Sequence, residues 1–173
     1  MVESDTGAVA PEHGVVATDP KVPQDVVDRA VETARVLAGW HIFPEREEEL
    51  VVLVPGDGQV ILPTKRLISV DTIQVDGREI DPSRLVFDES GVVWVPGLKP
   101  RRDGVPRRVV AKVRHGYSNP TDLIGVIQSM AARATQPQSS YSVGRISVGA
   151  PGSATPQSTE WRVLDLYKLG ARP

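Results

Sequence analysis

The chain has 173 residues, 40% of them hydrophobic and 24% charged, with 15 glycines, 15 prolines and a formal net charge of -2. That length suits one ordinary domain, the composition is that of a turn-rich globular protein, and the near-neutral charge offers no global attraction to nucleic acid or to an anionic membrane. The chain contains no cysteine, which excludes disulfides, thiolate nucleophiles and Cys-ligated zinc.

Residues 1–21 mix Gly, Pro, Asp, Glu and Ala without periodicity. They carry too little apolar surface to offset their ordering entropy and read as a mobile arm. The opening MVESDTGAVAPEHG has neither the basic start nor the apolar stretch of a signal peptide, and the densest apolar run, Leu50 to Val54, is far too short to cross a bilayer. The expectation is a protein made in the cytoplasm, with no membrane partner. Val26, Val27, Ala30, Val31, Ala34 and Leu37 then fall at helical spacing, with Asp28, Arg29, Glu32, Thr33 and Arg35 on the other side. Pro23 suits the first helical position, Asp25 favours the positive end of the helix dipole, and Gly39 supplies the left-handed stop.

From Glu45 the period becomes strand-like. Leu50 to Val54, the turn Pro55-Gly56-Asp57-Gly58 and the run Gln59 to Leu62 read as a hairpin. Ser69 to Val75 read as a second, turning at Asp76-Gly77 into Arg78-Glu79-Ile80, because Asp-Gly accommodates the positive φ values of a type I′ turn. Short strands follow at Leu85 to Phe87 and Val92 to Val95; residues 96–108 form a Pro, Gly and Arg/Lys-rich loop, and Val109 to Arg114 close the β region. A second helix opens with Asn119 as N-cap, Pro120 and Asp122, carries Leu123, Ile124, Ile127, Met130, Ala131 and Ala134 in one stripe, and stops before Pro137. Residues 136–157 are polar, with Tyr141 to Val148 alternating as a hairpin arm, and Trp161, Val163, Leu164, Leu166, Tyr167 and Leu169 suit a short helix before Gly170. The fold class expected is α+β: a scaffold of two main helices with an inserted antiparallel β meander, organised as an arm at 1–21, a core at 22–135 and an extended C-terminal segment at 136–173.

Little in the sequence suggests chemistry. His13, His41 and His115 lie in no metal-ligand spacing, and the last two read as packing residues. Glu45, Glu47, Glu48 and Glu49 form a run that reads as a solvated edge; an acid–base hydrolase built on Glu47 or Glu49 would need a cleft and one desolvated carboxyl. No serine sits in a nucleophile elbow, and the Pro55 to Gly58 turn lacks the Lys-Ser/Thr of a phosphate-cradling loop. No catalytic residue, no metal and no cofactor is expected. One charge cluster stands out, Lys99, Arg101, Arg102, Arg107 and Arg108, continuing to Lys112 and Arg114. It reads either as a solvated loop beside a charge-guarded edge strand or as the contact surface of a small β-rich nucleic-acid-binding module over 99–114, without the aromatics that would stack bases.

The elements also stand in a telling order. An arm precedes a helix closing on Ala38-Gly39-Trp40-His41-Ile42, a segment ending Ile61-Leu62-Pro63 and the stretch Leu67-Ile68-Ser69-Val70. Val109 to Arg114 then lead to His115-Gly116-Tyr117 and a helix from Pro120-Thr121-Asp122-Leu123 to Ala131-Ala132-Arg133-Ala134. Over roughly residues 23–150 this resembles the head-to-tail adaptor (head–tail connector, or head completion) proteins of long-tailed bacteriophages, particularly those infecting actinobacteria. The resemblance implies a non-enzymatic virion protein, assembled in the host cytoplasm. Its subunits would form a homo-oligomeric ring, usually twelve-fold, between the portal protein and a neck (head-closure) or tail-terminator protein, with genomic DNA passing through the lumen. Carried onto this chain, 136–173 would dock on the portal through Trp161, Leu164, Tyr167 and Leu169, with Tyr141, while Lys99, Arg101, Arg102, Arg107 and Arg108 would face the DNA channel or a neighbouring subunit. An apolar cluster at the end of a polar tail has little local surface to bury against, so it needs either a partner or its own domain, onto which 158–169 would fold back. Trp40, directly after a helix stop, reads as a core cover.

Overall fold

The computed structural model describes residues 11–136, 142–143, 146–147 and 155–170; Tyr141, one of the expected anchors, lies outside the described residues. The chain forms two compact units, Met1–Ala34 with Thr121–Val163 and Arg35–Pro120 with Leu164–Pro173. Helices and antiparallel sheets together make an α+β fold.

The first unit is helical. Helix α1 runs over Gln24–Ala38, with Asp25 in its first turn and Arg35 in its last, matching the dipole at both ends. Its stripe Val27, Ala30, Val31 and Ala34 is wholly buried. Helix α2, Thr121–Thr135, buries Leu123, Val126, Ile127, Met130 and Ala131. Residues 11–21, the described part of the segment that the sequence assigns to an arm, are engaged: Val15 is buried, His13 Nε2 meets Asp28 at 3.0 Å, and the Gln24 amide donates to the Val15 carbonyl while its oxygen accepts from Ala17 N–H. Two two-residue strands, Ser142–Val143 and Ile146–Ser147, pair where the sequence alternates. Helix α3, Ser158–Tyr167, starts in this unit.

The second unit is built on strands β1 (Arg46–Val54), β2 (Gln59–Ile61), β3 (Leu67–Val75), β4 (Arg78–Ile80), β5 (Val86–Phe87), β6 (Val92–Trp94) and β7 (Arg107–His115). They form a four-stranded sheet in the order β1-β7-β3-β4 and a three-stranded one in the order β2-β6-β5. One core joins the inward faces: Leu50, Val52 and Val54 of β1, Ile73 and Val75 of β3, and Val109, Ala111 and Val113 of β7 meet Val60 and Val93 from the other sheet and Leu62, just after β2. The alternation along β1 and β7 sets this arrangement, since period 2 puts every second residue inward.

The hairpin expected between residues 50–54 and 59–62 does not form. β1 instead pairs with β7 along its whole length, from Arg46↔His115 to Val54↔Arg107, while β2 pairs with β6. The reason is quantitative: β7 offers nine register partners and the segment after the turn only a three-residue strand. Cross-strand pairs are the unit of sheet stability, so the longer ladder wins. The β3–β4 hairpin forms as read, with Asp76 and Gly77 at φ 50° and 79°. Gly91 closes the small sheet: at φ +93° its amide oxygen accepts from Leu62 N–H, and a Cβ there would stand 2.8 Å from the Thr64 carbonyl oxygen.

Candidate functional site

Two regions of the second unit gather the side chains that the sequence singles out. The first is the seat of the C-terminal helix. Leu164 and Tyr167 are buried, with the Tyr167 ring edge-on to Tyr117 at 5.3 Å between centroids. The last carbonyls of a helix lack intrahelical donors, and here outside donors reach two of them. Trp40 Nε1 donates to the Tyr167 carbonyl at 2.6 Å, and Lys65 Nζ donates to that of Leu166 at 2.6 Å, placing a cation at the negative end of the helix dipole. The Leu169 N–H donates to the Ala38 carbonyl. Three of the four described anchors expected to reach for a partner, Leu164, Tyr167 and Leu169, thus fold back on the chain's own body; Trp161 keeps 37% of its surface exposed, and Leu166 65%. The fold-back follows from the donors: Trp40 and Lys65 lie ready for this helix end, and an indole N–H buried without an acceptor would be costly. Trp40 is itself a core cover, as its position after the Gly39 stop suggests.

Beneath this seat lie two histidines. The Trp40 and His115 ring centroids are 6.1 Å apart, and those of His41 and His115 5.8 Å. His41 Nε2 donates to the Pro44 carbonyl at 2.6 Å, and burial lowers its pKa to about 4 despite that bond, with Arg46 and Arg35 pushing the same way. His115 is 1% exposed; burial lowers its pKa too, against the opposing pull of Glu48, whose carboxylate lies 2.9 Å from Nε2. With Nε2–H directed at Glu48, Nδ1 finds no partner among the described residues, so a second proton there would have no acceptor. Burial by itself raises the Glu48 carboxyl, but hydrogen bonds from Arg46 and His115 outweigh it and the net direction is down. These groups form a packed cluster, with no group of three metal-capable side chains among the described residues.

The second region is the basic loop. Asp76, chosen by the β3–β4 turn, organises it: its Oδ1 accepts from the Arg108 N–H at 3.0 Å, its Oδ2 accepts from Arg107 Nη1 at 2.8 Å, and Arg101 stands 3.8 Å away. The Arg108 backbone N–H first, then the Arg107 and Arg101 guanidiniums, hold its carboxyl below the usual carboxylate range. Arg107 Nε also donates to the Lys99 carbonyl, tying the loop to the base of β7. A cavity of about 790 Å³ opens here, with Arg78, Arg101, Arg102 and Arg107 at its rim. Its floor comprises Val75, Ile80, Val95 and Leu98, continuous with the core. The cluster named from sequence therefore divides. Arg101, Arg102 and Arg107 line the cavity, whereas Arg108, exposed, stands cross-strand from Leu53, and the exposed side chain of Lys99 takes no part in the lining. Neither Glu47 nor Glu49 lines it. Asp76 and Arg78 escape sequence reading, because the turn signal and the strand pattern account for both without reference to the loop.

In the helical unit, Glu160 accepts from Arg133 through both oxygens at 2.6 Å and from the Gln157 N–H at 2.8 Å. The last bond satisfies an N-terminal donor of α3 in the manner of a capping box. Burial alone raises the Glu160 carboxyl, yet the Arg133 and Gln157 bonds bring it below its ordinary value.

No protein-family model matches this chain. No curated protein matches it either. Among solved structures, it is similar to a chain in the neck of an empty GTA particle, computed with C6 symmetry: the TM-score is 0.55 at 16% identity, over 86% of this chain and 80% of that one. At that identity the likeness speaks for the fold.

Proposed function

We propose that this chain is a structural neck protein of a phage-like particle, an adaptor subunit that joins the portal to the neck or tail and carries out no catalysis. The observation that carries this proposal is the shared fold with the neck of a GTA particle over 86% of the chain. Independent support comes from the order of the sequence elements, which resembles that of head-to-tail adaptors. The neck structure was computed with C6 symmetry, and a closed ring of six or, by the adaptor resemblance, twelve copies is the form proposed here, with genomic DNA in its lumen. Portal contact then falls on Trp161, whose ring stays accessible, and away from Leu164 and Tyr167, which the chain itself buries.

Native mass spectrometry and negative-stain microscopy of the purified protein, alone and with its cognate portal protein, test the proposal. Rings, or a portal-dependent complex weakened by Trp161→Ala, are expected. A chain that stays monomeric at high concentration and with portal protein present overturns it.

A further inference from the structure

The cavity at the basic loop carries more positive charge than its own carboxylates balance. Its rim carries Arg78, Arg101, Arg102 and Arg107 against Asp76 and Asp103, four positive charges against two negative. The pairing within it is uneven. Asp76 engages Arg107 and Arg101, and Asp103 lies 3.5 Å from Arg101, but among the described residues no carboxylate pairs with Arg78 or Arg102. Two guanidiniums thus stand beside a concave lining whose apolar surface comes from Pro96, Pro100 and the half-buried Ile80, with Val75, Val95 and Leu98 packed beneath.

We infer that this cavity is a binding site for an acidic peptide segment of another protein chain, one that carries carboxylates for Arg78 and Arg102 and an apolar side chain for the floor. Guanidinium pairs with carboxylate through two parallel hydrogen bonds, which gives geometric specificity as well as attraction. The volume falls in the range of sites that enclose a few side chains. Nucleic acid fits less well, because the apolar part of the lining has nothing to offer a phosphodiester, whereas Asp76 and Asp103 oppose either kind of anion alike. Glu47 and Glu49 are not themselves the occupant, because Glu47 meets Lys112 at 3.4 Å and both lie toward the far end of β1 from Val54↔Arg107. The inference stands apart from the neck proposal, since a monomer would bind the same peptide.

Fluorescence anisotropy with the full chain and a labelled hexapeptide, Glu-Asp-Leu-Leu-Asp-Glu, tests it. The amide analogue Gln-Asn-Leu-Leu-Asn-Gln, a serine-for-leucine analogue and a short DNA duplex serve as competitors. The acidic peptide should bind at least about tenfold more tightly than the amide analogue. The serine analogue should also bind more weakly, and the double variant Arg78→Glu with Arg102→Glu should lose at least about tenfold in affinity with an unchanged melting curve. Both residues are exposed, so folding should be preserved. Equal binding of the two hexapeptides, displacement by the duplex at physiological salt, retained affinity in the double variant, or no measurable binding at all would each overturn the inference. A ring assay on the same variant separates this result from the neck proposal.

Discussion

The two gathered regions of the β unit hold themselves together by opposite means. At the seat of the C-terminal helix the contacts are mostly buried and aromatic, and three of its polar bonds are wholly or partly sheltered, Trp40 Nε1 to Tyr167, His41 to Pro44 and His115 to Glu48, while the Lys65 bond to Leu166 lies at the surface. At the basic loop the contacts are exposed ion pairs around Asp76. In low dielectric a hydrogen bond is strong and its loss costly, whereas an exposed ion pair contributes little. The seat therefore carries stability, and the loop carries charge that is free to meet a partner.

Breaking the seat should have the largest effect. Trp40→Ala removes a buried indole and leaves the Tyr167 carbonyl without its donor. Unfolding in urea should show a loss of about 4 kcal/mol. A loss below about 1 kcal/mol would mean that the aromatic cluster is not part of the cooperative core.

Acid should separate the two regions next. His41, with its pKa lowered from 6.5 to about 4, binds fewer protons folded than unfolded between those values, and His115, also lowered, acts in the same direction. Stability therefore falls as pH drops through that window. Carboxylates held low in the fold, Glu48 and Asp76 among them, add a further loss only below their ordinary range near pH 4. Denaturant midpoints measured from pH 7 to pH 4 should decline, and His41→Gln should flatten that decline. An unchanged slope in the variant would reject the assignment. Loop variants such as Arg102→Glu should leave the slope alone.

Legibility in the sequence follows the same division between local and long-range causes. Both main helices, the Asp76-Gly77 hairpin and the strand at 109–114 were readable because caps, periods and turn residues act over a few positions. The partner of β1 was not, since Pro55 to Gly58 advertises a hairpin locally while the nine-pair ladder to β7 depends on residues more than fifty positions away. The surroundings of the C-terminal apolar residues were not legible for a related reason. Apolar residues at 161, 163, 164, 166, 167 and 169 show that something must be covered but not by what, and the answer lay in the Trp40 indole and Lys65, far back in the chain. Of the basic cluster, the charge was visible and its organiser was not: Asp76 is spent, to the sequence reader, on a turn.

A milder cut at the seat sharpens its internal ranking. Lys65→Met removes a charge from the end of α3 but leaves the Tyr167 bond intact, and should cost about 0.5 kcal/mol, decreasing with added salt. A cost approaching that of Trp40→Ala would place the main strength of the seat in the charge and not in the indole.

The smallest effect on stability, with the clearest local signature, belongs to Asp76→Ala. The carboxylate gathers Arg107, Arg101 and the Arg108 N–H, all at the surface, so its removal should leave the melting temperature close to that of the parent chain. The loop should nonetheless loosen, because among the described residues the Arg107 to Lys99 carbonyl bond alone would then tie it to β7 by a side chain. Amide hydrogen exchange is the appropriate measurement: faster exchange confined to residues 99–106, with the β1–β7 ladder unaffected, is the expected outcome. If exchange instead quickened along the whole of β7, Asp76 would be a support of the sheet itself, and the contrast between a buried, stabilising seat and an exposed, locally organised loop would fail at the one residue where the loop meets the core.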